Sequence, residues 1–198
     1  SISDAILDAC LAQDPNSRVA CETMLTTDFC LICGEITTKA VVDYPSVARE
    51  AIRKIGYVYP GDGFDADTVE IQCRIHTQSA DIAMGTNDQV GGAGDQGMMF
   101  GGACTQTPEL MPMPIALARA LSNRLSQCIQ STDLLRADGK TQVSVEFDEA
   151  GNVVGVDTVV VSVMHSRDFR MEDLRKYVAE EVIAPVLARY GFRMEDVK

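Results

Sequence analysis

Apolar positions along the chain change period several times, from helical spacing to strict alternation and back. Ile2, Ile6, Ala9 and Cys10 recur at helical spacing behind a cap at Ser1 or Ser3, which predicts a helix that stops at Asp14-Pro15. Arg18 to Leu25 reads as a strand, and Phe29 to Thr38 as its hairpin partner across Thr26-Thr27-Asp28. Asp43 then offers an N-cap and Pro45 suits a first turn. Val47, Ala51, Ile52 and Ile55 form a buried stripe, and Gly56 closes the second helix. After the turn-rich Pro60-Gly61-Asp62-Gly63, Val69, Ile71, Cys73 and Ile75 alternate with Glu70, Gln72, Arg74 and His76, the clearest strand signal in the chain.

The same order returns in the second half. Pro112 and Pro114 lead into a helix with Ile115, Ala118, Leu121, Leu125 and Cys128 on one side. Val143, Val145 and Phe147 alternate, Asp148 to Asn152 turns, and Val153 to Met164 returns as a valine-rich strand. Leu174, Val178 and Val182 mark a last helix that Pro185 is expected to kink or end. Both halves thus read helix, strand, strand, helix, and the first continues into a further strand after Gly63-Phe64-Asp65-Ala66-Asp67-Thr68-Val69. Gly191-Phe192-Arg193-Met194-Glu195-Asp196-Val197 resembles that lead-in, so an internal repeat is expected, with an unpaired edge on the second sheet unless another segment covers it. The fold class is α/β of the α+β type, built of repeated helix-strand-strand-helix-strand units: residues 1–84 a first domain, 85–102 a glycine-rich connector, and 103–198 a second domain.

Composition narrows the partners. With 29 acidic against 17 basic residues the formal charge is -12, which repels phosphate backbones and argues against nucleic-acid binding. An anionic ligand would need local cations, and Mg²⁺ held by carboxylates and substrate phosphates suits an acidic protein that handles ATP. No apolar run approaches the roughly 20 residues a membrane helix needs and no basic-then-apolar leader opens the sequence, so a soluble, cytoplasmic protein is expected, with no membrane partner. Seven cysteines, an odd number without a regular framework, are expected to be reduced. Cys30 and Cys33 form a C-x-x-C, but inside a strand their spacing points the side chains to opposite faces, and no second pair completes a zinc site. His76 and His165 sit in no motif.

Between the halves, seven of the fifteen glycines fall in Gly85 to Gly102, which excludes a regular element and predicts a lid, a ligand-contacting turn or a connector. Gly92-Ala93-Gly94-Asp95-Gln96-Gly97 satisfies G-x-G-x-x-G, the dinucleotide fingerprint. Polar Thr86-Asn87-Asp88-Gln89 stands where that motif needs a strand, and Gly101-Gly102 where it needs a helix, so a nicotinamide oxidoreductase is not supported.

Three places could carry chemistry. Glu22 and Glu35 lie among apolar residues of the first hairpin. If buried they need a cation, an ammonium group or solvent opposite them, and the alternative is an exposed strand face. Asp138-Gly139-Lys140 reads as a turn immediately before a strand, a rigid edge that can project a lysine toward phosphate or simply into water.

The ordered strings Ile2-Ser3-Asp4-Ala5, Val19-Ala20-Cys21-Glu22-Thr23, Gly34-Glu35-Ile36-Thr37-Thr38 and Ile55-Gly56-Tyr57 resemble S-adenosylmethionine synthetase (methionine adenosyltransferase). So do Gly63-Phe64-Asp65, Gln78-Ser79-Ala80-Asp81-Ile82, Gly92 to Gly97, Met111-Pro112 and Lys140-Thr141-Gln142-Val143. The resemblance implies three similar α/β domains related by pseudo-threefold symmetry, two of them in this sequence, and a homodimer or dimer of dimers with active sites between subunits. It implies ATP and L-methionine as substrates, Mg²⁺ and K⁺ as cofactors, and a transferase of one-carbon metabolism. By the same resemblance Glu22 is the potassium-associated carboxylate, and Glu35 and Gln78 contact methionine. Asp138, Gly139 and Lys140 contact ATP, Lys140 at its phosphates and in a catalytic role, while Asp95 lies near the substrates. Gln78 to about Asp88 resembles the gating loop.

Departures also carry expectations. The family's His-Pro-Asp-Lys motif would precede Ser1, and its later phosphate-binding segment would follow Lys198. Magnesium ligands are therefore expected outside this sequence, and little turnover is expected of it alone. Ala80 and Ala137 stand where the family usually has proline, and the gating loop is short. The competing expectation is a non-catalytic methionine- or ATP-binding, or assembly, subunit derived from the same family.

Overall fold

The computed structural model describes residues 1–78 and 97–197. The motifs from Ser79 to Ile82 and Gly92 to Gln96, with Ala80 and Asp95, lie outside the described residues, as does Lys198. The chain divides into two compact units, Ser1–Phe100 and Gly101–Lys198.

In the first unit, α1 spans Ile2–Leu11, β1 Arg18–Thr26, β2 Phe29–Thr37, α2 Tyr44–Ile55 and β3 Glu70–His76. The sheet order is β1-β2-β3, with β2 antiparallel to β1 and parallel to β3. Period-two alternation sorts the strands into two faces. Cys30, Ile32 and Ile36 of β2 are buried with Ile2, Ile6 and Cys10 of α1 and Ala48, Ala51 and Ile52 of α2. The cap at Asp43 is present: its carboxylate accepts from the Ser46 backbone N–H at 3.3 Å and the Ser46 hydroxyl at 2.7 Å. The lead-in to β3 is held from α2, where Arg49 donates to the carbonyls of Ala66 (2.7 Å) and Val69 (2.9 Å). Asp14 ties the end of α1 to the chain leaving β2, accepting from the Lys39 N–H at 2.9 Å and the Asn16 N–H at 3.1 Å. Those two backbone donors, Lys39 first, hold its carboxyl below the usual range.

In the second unit, α3 spans Met113–Ser131, β4 Leu135–Phe147 and β5 Val153–His165, followed by α4 Met171–Tyr177, a π-helical turn Val178–Ile183 and α5 Ala184–Arg189. β4 and β5 form an antiparallel two-stranded sheet among the described residues. Leu117, Leu121, Leu125 and Cys128 of α3 are buried with Val156, Leu174, Val182 and Leu187. Ile115, expected in that stripe, is 39% exposed, because at 100° per residue it lies on the far side of the helix from Leu117. One further expectation needs correction. Asp138-Gly139-Lys140 is not a turn: β4 begins at Leu135 and runs through it, with its pairing to β5 interrupted between Leu135 and Gly139. Pro185 disturbs the last helix without ending it, one of the two outcomes expected of it. Having no N–H, it deprives the Glu181 carbonyl of its α-helical donor. Arg124 Nε of α3 donates to that oxygen at 2.7 Å, with Cys128 Sγ at 3.9 Å, and the chain continues through a π turn into α5.

The expected repeat shows at the helix ends. Gly56 donates to Arg53 O and Tyr57 to Ile52 O; Gly191 donates to Ala188 O and Phe192 to Leu187 O, the same closing pattern at matching places.

Arg124→Ala removes the nearer side-chain donor to the Glu181 carbonyl and leaves it only the Cys128 thiol at 3.9 Å, which is expected to lower stability by about 1–2 kcal/mol, read as a lower urea midpoint; an unchanged midpoint refutes this role. Asp14, with its pKa depressed on folding, contributes stability above the unfolded carboxylate pKa and loses it as pH falls through the folded value. Asp14→Asn should accordingly melt lower than the parent at neutral pH, with the gap closing on acidification; a gap independent of pH would contradict this.

Candidate functional site

The register of the first sheet decides which side chains share its open face. Val19, Cys21 and Thr23 pair with Ile36, Gly34 and Ile32 on the helix side, which leaves Ala20, Glu22 and Met24 on the other face beside Glu35, Cys33 and Leu31. On β3, Gln72, Arg74 and His76 complete the rows opposite Leu31, Cys33 and Glu35. One row across the sheet is Glu22, Cys33, Arg74, and the next is Ala20, Glu35, His76. Glu22 and Glu35 are thus diagonal neighbours, roughly 7 Å apart at the backbone. Glu22 is exposed and Glu35 half-buried. Among the described residues no hydrogen bond or ion pair ties down either carboxylate, which leaves both free to meet a cation or an ammonium group.

Gln78 reaches the same end of the face. The last β2–β3 pair is Glu35 with His76, and the Gln78 backbone N–H donates at 3.3 Å to the hydroxyl of Thr37, the next open-face residue of β2. The Gln78 side-chain oxygen is sealed from solvent with no hydrogen-bond partner. An acceptor left in that condition costs about 1–3 kcal/mol, which a bound donor would recover. Sequence reasoning singled out Glu22, Glu35 and Gln78 but passed over Arg74, His76 and Thr37. Their shared face follows from a parallel pairing between strands far apart in sequence, and alternation within one strand carries no sign of it.

Gly34 holds this arrangement together. Its φ of +134° favours glycine, and a Cβ there would run into the carbonyl oxygen of Ala20 on β1. The carboxylates on either side keep their places because no side chain separates the strands at that point.

In the second unit, Lys140 pairs with Ser162, and Gly139 with Val163. A Cβ on Gly139 would lie 2.5 Å from Leu125 Cδ2, so this strand passes close to α3, and a side chain there would have to push the end of Leu125 aside. Thr141 repeats the contact by donating to Ala118 O at 2.8 Å. With Gly139 and Thr141 turned to the helix, Lys140 stands on the opposite, exposed face, and Asp138 is exposed in the unpaired stretch before it. Asp138, Gly139 and Lys140 are consecutive on one strand, and Glu22 and Glu35 share one sheet of the other unit, with Gln78 two residues past the end of its third strand; Asp95 lies outside the described residues.

Among the described residues no group of three or more His, Cys, Asp or Glu side chains could hold a metal ion. Glu22 offers a single carboxylate, so these residues do not by themselves fit a complete magnesium or potassium site. Cys30 is buried, while Cys33 lies on the opposite face of β2, and all seven cysteines are free. Burial pushes the thiols of Cys10, Cys21, Cys30 and Cys73 up, which keeps them neutral and unreactive. No helix among the described residues is long and apolar enough to cross a membrane.

Residues 1–80 match the family model described as S-adenosylmethionine synthetase, N-terminal domain. Residues 90–198, more than half of the chain, match the one described as S-adenosylmethionine synthetase, central domain.

Gly34→Ala forces β1 and β2 apart between the diagonal carboxylates Glu22 and Glu35 and is expected to cost at least about 2 kcal/mol. Thermal melting checks it, and a melting temperature equal to that of the parent would show that the ladder tolerates a side chain there.

Proposed function

The chain belongs to the S-adenosylmethionine synthetase family, and from that premise we propose that it serves the formation of S-adenosylmethionine from ATP and L-methionine, with cleavage of the displaced tripolyphosphate to phosphate and pyrophosphate. The observation that carries this reading is the consecutive match to the N-terminal and central domains of one enzyme family. The open face of the first sheet supports it, because two untethered carboxylates and a buried, unpartnered amide oxygen suit an amino acid's ammonium group.

In this reading Glu35 takes the methionine ammonium and Gln78 accepts a further hydrogen bond. Asp138 and the bare backbone at Gly139 seat ATP, and the Lys140 ammonium lies against its phosphates. The sulfur lone pair attacks the ribose 5′-carbon, the C5′–O5′ bond breaks, and its electron pair leaves with the triphosphate. The sulfur becomes a sulfonium, so no covalent enzyme intermediate is needed. Catalysis then rests on holding sulfur, carbon and leaving oxygen in line and on a cationic side chain facing the charge that develops on the departing group. The family generally uses Mg²⁺ and K⁺. Glu22 would contribute one carboxylate to a potassium site, and the magnesium ligands would come from elsewhere. Asp95 would lie close to the substrates, and residues 78–88 would gate them.

The family typically forms oligomers, and we take this chain to act as a homodimer or dimer of dimers with its sites between subunits. Met24, 60% exposed beside half-buried Leu31 on the open face, supports a covered rather than a wetted surface.

The test is an assay of the full-length protein for sulfonium product, orthophosphate and pyrophosphate with Mg²⁺ and K⁺ supplied. Product that depends on both ATP and methionine is expected, and its absence would favour a non-catalytic binding or assembly subunit. Glu35→Gln should raise the methionine KM about tenfold to a hundredfold through loss of a charge-assisted hydrogen bond. Lys140→Ala should lower kcat about a hundredfold or more; kinetics in which either variant matches the parent would remove that residue from the mechanism.

A further inference from the structure

Resting on the reading of Gln78 as a methionine contact, we propose that Thr37 is a positioning residue for substrate recognition: its hydroxyl fixes Gln78 beside Glu35. Among the described residues the pairing of β2 with β3 ends at Glu35 and His76, so Gln78 lies past the last ladder pair. Gln78 lies two residues past the end of β3, and the bond that locates it runs from its backbone N–H to Thr37 Oγ1, at 3.3 Å. Thr37 is two residues on from Glu35 and closes β2 on the same open face, paired across with Arg18 at the start of β1. One strand therefore presents a carboxylate and, one pleat later, a hydroxyl that pins the backbone carrying the amide.

The second observation is the state of the Gln78 side chain. Its oxygen is sealed from water and has no hydrogen-bond partner, although its own backbone is tethered. A buried acceptor kept unpaired by a fixed backbone is prepared for a donor that arrives later. Glu35 lies one pleat before Thr37 on the same strand face, so a donor that meets both its carboxylate and this oxygen would be an ammonium group, which brings three N–H bonds. Thr37 touches neither the reacting atoms nor, in this reading, the substrate. Its hydroxyl sets where the second acceptor stands relative to the first, and hence the geometry in which an α-amino group is held.

The experiment compares Thr37→Val, which keeps the β-branched shape and removes the hydroxyl, with Thr37→Ser, which keeps the hydroxyl, in the full-length protein with Mg²⁺ and K⁺. Thr37→Val is expected to raise the methionine KM about tenfold, with the ATP KM and the melting temperature unchanged, and Thr37→Ser to restore the parent value. A methionine KM unmoved by Thr37→Val overturns the inference. So does a parallel loss in ATP KM or melting temperature, which would indicate a general structural role, and so does failure of Thr37→Ser to rescue. Glu35→Gln and Gln78→Ala separate the two levels. If both leave the methionine KM unchanged, the reading of the site fails and the inference with it; if they raise it while Thr37→Val does not, only the role of Thr37 is lost.

Discussion

The pairing of β2 with a strand on each side is the constraint on which the candidate site depends. β2 runs antiparallel to β1 and parallel to β3, and a slip of one residue in either ladder would turn every side chain to the other face. Burial of Cys30, Ile32 and Ile36 against α1 and α2 makes such a slip costly, since it would exchange these apolar groups for Glu35 and Thr37. The apolar face thereby fixes the polar one. Glu22, Glu35, Arg74 and His76 take their places on the open side because their neighbours in sequence are committed to the core. Gly34 removes the one obstacle to that registry by letting β1 and β2 close where a side chain would strike the Ala20 carbonyl.

The two units meet the same demand with different fittings. Each packs a sheet against helices, and each closes its second helical segment with the same pair of backbone bonds, at Gly56-Tyr57 and Gly191-Phe192. The first then holds its lead-in through Arg49 and adds β3 to the sheet. The second spends its arginine differently. Arg124 satisfies a carbonyl that Pro185 leaves without a donor, so a helix with a proline inside it continues through a π turn. Contact with α3 on one side also governs how Lys140 is presented. Gly139 and Thr141 are held against α3, and alternation leaves the lysine no course but outward.

Much of this was legible in the chain. Alternation of Ile71, Cys73 and Ile75 marked β3, the Asp43–Pro45 and Gly56 signals bounded α2, and the strings around Glu22, Glu35 and Lys140 marked the family, because these signals act within a few residues. Three readings needed the third dimension. Ile115 looked buried because the helical stripe admits two phases until a sheet selects one. Asp138-Gly139-Lys140 looked like a turn, since Asp-Gly is turn chemistry, yet contact with Leu125 keeps the segment extended. At Pro185 local sequence allowed a kink or an end and could not choose, because it cannot reveal that an arginine far back in the chain stands ready to take the orphaned carbonyl.

The sequence by itself determined the order of the elements, the period of apolar positions in each, and the residue types available for chemistry, for these rest on periodicity and local backbone preference. Only the tertiary structure decided that Thr37 meets Gln78 and that Glu35 stands opposite His76, for these depend on a parallel pairing between strands separated by a helix and a long lead-in. No local pattern encodes such a partner: the register comes from burying the alternate residues of both strands in one shared core.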